Sequence, residues 1–155
     1  MKLFRSFQEL NKAIEKDIRQ KINNALENEV AEAAKAVVQN NIQETVYDAG
    51  YPSWYQRRYY NNGLIDEDNL AVSVRDGELT ISNTAKARYP SWERKLRASG
   101  TTLSNLIIKG YGDRDQWYNQ PRPYMENAEN ELEDNNKIQA AIDAGLARQG
   151  IRRTG

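Results

Sequence analysis

The sequence predicts an α+β fold in which helices outnumber strands, on three observations. From about Ser6 to Tyr47 there is no Pro or Gly, and Ala, Glu, Lys, Gln and Asn are plentiful, as a long helix requires. Two short alternating runs flank Asp76-Gly77, the pattern of a β-hairpin. After Pro121-Arg122-Pro123 the apolar residues again return at helical spacing. The 155 residues suit one domain over 1–151, with 152–155 as a basic tail.

The long helix, expected over 6–47, carries an unusual stripe. Leu10, Ile14, Ile18, Ile22, Leu26, Val30, Ala34, Val38, Ile42 and Val46 recur every four residues. A helix turns by about 100° per residue, so each step overshoots one turn by about 40°. A straight helix cannot bury that whole stripe against one flat neighbour. Either it bends or breaks, with Asn23-Asn24 the favoured place, or it faces different neighbours along its length. At about 1.5 Å per residue it would run on the order of 60 Å, more than a domain of this size spans. Part of the stripe is therefore expected to pack against another subunit.

The stretch from Asp48 to Asp68 reads as an aromatic loop. It opens near the first of two YPSW copies, Tyr51–Trp54 and Tyr89–Trp92, each with a Pro suited to a first helical position. The flanks of the copies do not align (VYDAG against TAKAR, YQRR against ERKL), which argues against duplication. Leu70, Val72 and Val74, then Leu79 and Ile81, alternate with small or polar residues and give the hairpin one buried face. In TTLSNLIIKG, Thr102 is the expected N-cap, Leu103, Leu106 and Ile107 the apolar face, and Gly110 the residue that ends a short helix. The last helix places Met125, Ala128, Leu132, Ile138, Ile142 and Leu146 inward, with Asn135-Asn136 as an interruption.

Composition narrows the chemistry. Acids and bases balance at 22 each, and there is no Cys and no His. That removes disulfides, thiol nucleophiles, thiolate metal sites and the usual general base at neutral pH. No zinc signature, glycine-rich phosphate loop or nucleophile elbow is present. No catalytic, metal or cofactor residue is assigned, and the expectation is a protein that is not an enzyme. Nothing is long and apolar enough for a membrane span, and the charged N-terminus is not a signal peptide. The acidic groups Asp66-Glu67-Asp68 and Asp113/Asp115 read as solvated loops rather than cation sites.

Two aromatic–basic clusters remain as candidate contact surfaces. One holds Trp54, Tyr55, Arg57, Arg58, Tyr59 and Tyr60, and the other Trp92 and Arg94; Arg122 and Tyr124 join them as candidates. Such residues stack on bases and hold phosphates, but they also anchor protein interfaces. With zero net charge, a protein interface is the better reading. A small nucleic-acid-binding protein using both clusters is the alternative.

The order of several segments also resembles a family of tailed-phage proteins, the neck and tail-completion (tail-to-head joining) components of long-tailed phages. The form resembled is the one common in phages of Gram-positive bacteria. A Val-Tyr pair closes the long helix. Tyr55, Arg57, Arg58 and Tyr59 lead to Gly63, Leu64 and Asp66; Arg122, Pro123 and Tyr124 open the C-terminal helix; Gly145, Leu146, Arg148, Gln149 and Gly150 end it. The likeness covers about Val30 to Ile151 and departs at Lys109, where relatives usually carry an acid before the glycine.

What the resemblance implies is a structural virion protein, assembled in the host bacterial cytoplasm. Six copies would form a ring at the tail end where it meets the head. Its partners would be itself, the tail tube protein and the head connector or adaptor proteins. DNA would pass through the lumen without sequence-specific binding, and neither cofactor nor membrane would be involved.

Overall fold

The structure, a computed structural model, describes residues 6–49, 58–86, 103–110, 120–134 and 136–151. It contains the long N-terminal helical segment, a two-stranded antiparallel hairpin and C-terminal helices of the expected α+β fold. Helix α1 spans Phe7–Ala25 and α2 spans Ala31–Ile42; strands β1 and β2 span Leu70–Arg75 and Glu78–Asn83. Helices α3, α4 and α5 come next, at Leu103–Lys109, Tyr124–Asp134 and Asn136–Arg148. The expected Asn135-Asn136 interruption thus coincides with the change from α4 to α5. Both YPSW copies, Thr102 and the Asp113/Asp115 pair lie outside the described residues.

Ser6 starts the long helix. Its backbone is extended, and its hydroxyl accepts the Glu9 N–H at 3.2 Å, one half of a Ser-x-x-Glu capping box. The helix does not break at Asn23-Asn24. Asn23 Oδ1 accepts the Gly77 N–H at 3.1 Å, and Asn24 Nδ2 donates to Gln149 Oε1 at 3.3 Å. Instead, wide π turns succeed α1 and α2, at Leu26–Val30 and Gln43–Tyr47. Each takes in one extra residue per turn. That sets the next stretch of chain back by about 100° and offsets the drift of a four-residue stripe.

The stripe does meet different surroundings along its length. Leu26, Val30, Ala34, Val38, Ile42 and Val46 are buried, whereas Ile14, Ile18 and Ile22 are exposed. Around α2 the buried face is also wider than the stripe. Ala34, Val37, Val38, Asn41 and Ile42 have the usual three-and-four spacing of a packed helix.

Contacts group the chain into two compact units. Within the first, of described residues 6–33, 72–80 and 136–151, α5 lies on the end of α1. Gly145 sits against Ala25, and Gln149 Nε2 donates to the Lys21 carbonyl at 2.8 Å, so the helices run antiparallel. Helix α5 ends in a Schellman motif: the Ile151 N–H reaches the Leu146 carbonyl at 2.9 Å, the Gly150 N–H reaches Ala147 at 3.0 Å, and Gly150 has φ +81°.

The second unit, of described residues 34–49, 58–71, 81–86, 103–110 and 120–134, holds the larger buried cluster. Val37, Ile42, Val46, Leu64, Leu70 and Tyr124 lie at its centre. The hairpin, whose Val72–Thr80 part belongs to the first unit, alternates as expected, with Leu70, Val72 and Val74 less exposed than Ala71, Ser73 and Arg75. Its two-residue turn has positive φ at both Asp76 (50°) and Gly77 (83°), the type I′ geometry that matches strand twist. Gly110 closes α3 at φ 72°.

Candidate functional site

The densest polar geometry surrounds the loop Arg58–Asn69, in the second unit. Its apolar pair, Leu64-Ile65, is buried, which takes polar backbone out of water and obliges each group to find a partner. Side chains supply the partners. The Tyr47 hydroxyl accepts the Leu64 N–H at 3.1 Å, and Asn83 Nδ2 donates to the Leu64 carbonyl at 2.7 Å. Asn69 Nδ2 donates to the Gly63 carbonyl at 2.8 Å, and Gln39 Nε2 to the Ile65 carbonyl at 2.9 Å.

Asp66 then closes the loop. Its carboxylate accepts the N–H groups of Asn62 at 2.7 Å and Asp68 at 3.1 Å. Both oxygens therefore cap backbone, a use for Asp66 other than holding a cation. Among the described residues no group of three acidic side chains is placed to hold a metal ion.

Gly63 marks the tightest point. A Cβ there would fall 2.8 Å from the Tyr59 nitrogen and 2.9 Å from the Tyr47 hydroxyl. The Tyr59 ring packs on Tyr47 with centroids 4.5 Å apart, and Tyr59 itself has φ 46°. Arg58 Nη2 donates to the Lys86 carbonyl at 2.6 Å. Tyr60, next in the chain, points outward at 70% exposure. The loop is thus pinned from beneath and presents Tyr60 on top.

The other candidates separate sharply. Arg122 and Tyr124, expected at a contact surface, are interior: 8% and 0% exposed. Arg122 Nη1 donates to the Val46 carbonyl at 3.1 Å, in the last turn of the long helical segment, where carbonyls lack helical partners and attract cations. The Tyr124 hydroxyl donates to Ser104 Oγ at 2.6 Å, tying α4 to α3. Burial pushes this phenol up from 10.0 to about 12; Ser104 works against that shift, and Tyr47 adds to it. Both residues are explained by folding. Trp54, Tyr55, Arg57, Trp92 and Arg94 lie outside the described residues.

Sequence reading missed Gln39, Asn69 and Asn83 as clamps. Asn83 gave one faint sign, since it falls on the inward register of β2 where an apolar residue belongs.

One comparison, with a family model, makes this chain a phage-related protein. The chain belongs to the YomN family, a Bacillus phage-derived family whose model matches residues 6–148. No curated protein and no solved structure matches the chain.

Proposed function

We propose that this phage-related protein is a non-enzymatic structural component of a tailed-phage virion. Six copies close into a ring at the head–tail junction, between the tail tube protein and the head connector or adaptor, and DNA passes through the lumen. The observation that carries this reading is the match to a phage-derived family over residues 6–148. The order of neck-like motifs along the same stretch supports it. A ring requires two unlike patches that meet around it. The Arg58–Asn69 loop, which carries Tyr60, supplies one: an exposed aromatic on a pinned loop loses little freedom when a neighbour covers it.

The test is the mass of the purified full-length protein, alone and mixed with tail tubes or head connectors of the same virion. The expected result is a ring, either free or formed on one of those ends. Tyr60→Ala is expected to weaken assembly by about tenfold or more without changing the melting temperature, because the side chain is exposed. A protein that ignores both structures and instead binds DNA with steep salt dependence would favour the nucleic-acid reading.

A further inference from the structure

Among the described residues of its unit, helix α1 carries an apolar face that is left open. Phe7 is 75% exposed, Ile14 47%, Ile18 45% and Ile22 38%. With Leu10 they fall within an arc of about 120° on a helix turning about 100° per residue. The face runs for roughly 22 Å along the axis at 1.5 Å per residue. Helix α5 covers only its far end, since Gln149 bonds to the Lys21 carbonyl and Gly145 sits on Ala25. A row of large apolar side chains in water calls for a cover.

We propose that the cover is the same face of a second copy, lying antiparallel and crossing near Ile18. The bordering charges select this occupant. Asp17 and Lys21 lie along one side of the Ile14–Ile18–Ile22 row, 2.8 Å apart within a copy; Glu15 and Arg19 lie along the other. On each edge an acid precedes a base by one turn. Antiparallel helices set like edges together with their direction reversed, so each acid faces the partner copy's base. Ile14 then meets Ile22 of the partner copy, and Ile18 meets its own counterpart. Parallel helices set opposite edges together, which would oppose Glu15 to Asp17 and Arg19 to Lys21, like against like.

The same charges disfavour a lipid surface. Helices that lie on membranes carry mostly Lys and Arg on the polar face, whereas here Glu9, Glu15 and Asp17 interleave with Lys12, Lys16, Arg19 and Lys21. The pairing stands apart from the virion reading: it uses α1 and two-fold symmetry, whereas the ring contact uses the Tyr60 loop and unlike patches.

Sedimentation of the full-length protein over a concentration series tests it. The wild type is expected to form dimers. Ile14→Glu with Ile18→Glu should raise the dissociation constant by about a hundredfold or more while leaving the circular-dichroism melt unchanged at concentrations where the wild type is monomeric, because both residues are exposed. Two charge variants identify the occupant. Glu15→Lys with Asp17→Lys, and Arg19→Glu with Lys21→Glu, should each be monomeric alone and should dimerise when mixed. A wild type that stays monomeric overturns the proposal. So does a double-Glu variant that associates like the wild type, a charge-variant mixture that stays apart, or a wild type that sediments with anionic phosphatidylserine vesicles.

Discussion

At the scale of single residues, the Gly63–Ile65 loop shows how a buried turn is made tolerable. Four side chains from separate parts of the chain (Gln39, Tyr47, Asn69 and Asn83) meet the backbone groups of three consecutive residues. Gly63 is the residue this arrangement cannot change. The atoms a methyl group would strike include the Tyr59 backbone as well as the Tyr47 hydroxyl that holds Leu64, so relief would require the loop to lift. Gly63→Ala is expected to destabilise the protein by about 1–3 kcal/mol, read as a lower midpoint in urea. A midpoint equal to the wild type's would show that the loop yields freely. The clamps were hard to foresee because Asn and Gln are usually surface and turn residues. What fixes their role is distance through space, and neighbours in the sequence do not reveal it. Leu64 stood out only as a member of a motif, whereas Gly63 and Asp66 also read as loop and turn residues. The structure supplies the reasons: close approach, burial and backbone capping.

At the scale of elements, the hairpin was readable because its signals are local. Alternation sets the faces, and Asp-Gly sets a turn with two positive φ angles. The long helix was readable in type and extent but not in winding. A four-residue stripe announces that something must correct the drift, yet wide turns, a kink and a change of neighbour all satisfy it. Nothing in LENEV or QETVY distinguishes a π turn from an α turn by propensity. The packing of α5 on α1 turns on Gly145, which sequence reading registered only within the C-terminal motif. A Cβ there would lie 2.6 Å from the Ala25 Cβ and 3.0 Å from its Cα. In an isolated helix Gly→Ala gains about 1 kcal/mol, so a purely local view predicts stabilisation. The close approach is expected to reverse that sign, with Gly145→Ala net destabilising by about 1–2 kcal/mol. Adding Ala25→Gly should restore part of the loss, so that the two changes together cost less than their sum. Additive costs would mean the helices are not in contact there.

At the scale of the whole molecule, each compact unit has, among its described residues, one titratable group shifted by its surroundings, Glu29 by an ion pair and Tyr124 by burial, and the two act at opposite ends of the pH scale. In the first, Arg148 grips Glu29 through both carboxylate oxygens, with Nη2 to Oε2 at 3.2 Å. That hydrogen bond holds the Glu29 carboxyl below its ordinary 4.5. A carboxylate that is more acidic when folded contributes fully above its ordinary value. Its contribution fades as pH falls below 4.5 and through the folded value. In the second, Tyr124 is raised from 10.0 to about 12. Its contribution is whole below 10.0 and is lost as pH climbs from there to about 12. Ionising the unfolded phenol while the folded one stays neutral lowers the unfolding free energy by up to roughly 2–3 kcal/mol. Urea unfolding across pH should therefore show two separable limbs. Glu29→Gln is expected to flatten the fall below pH 4.5 and leave the alkaline side alone. Tyr124→Phe is expected to lower stability near neutrality by about 1 kcal/mol, through loss of the Ser104 bond, and to flatten the fall above pH 10.0. If Tyr124→Phe fell as steeply as the wild type at high pH, the alkaline limb would belong to other groups. The interior placing of Tyr124, and with it the reason this aromatic comes after Arg122-Pro123, would then need another basis.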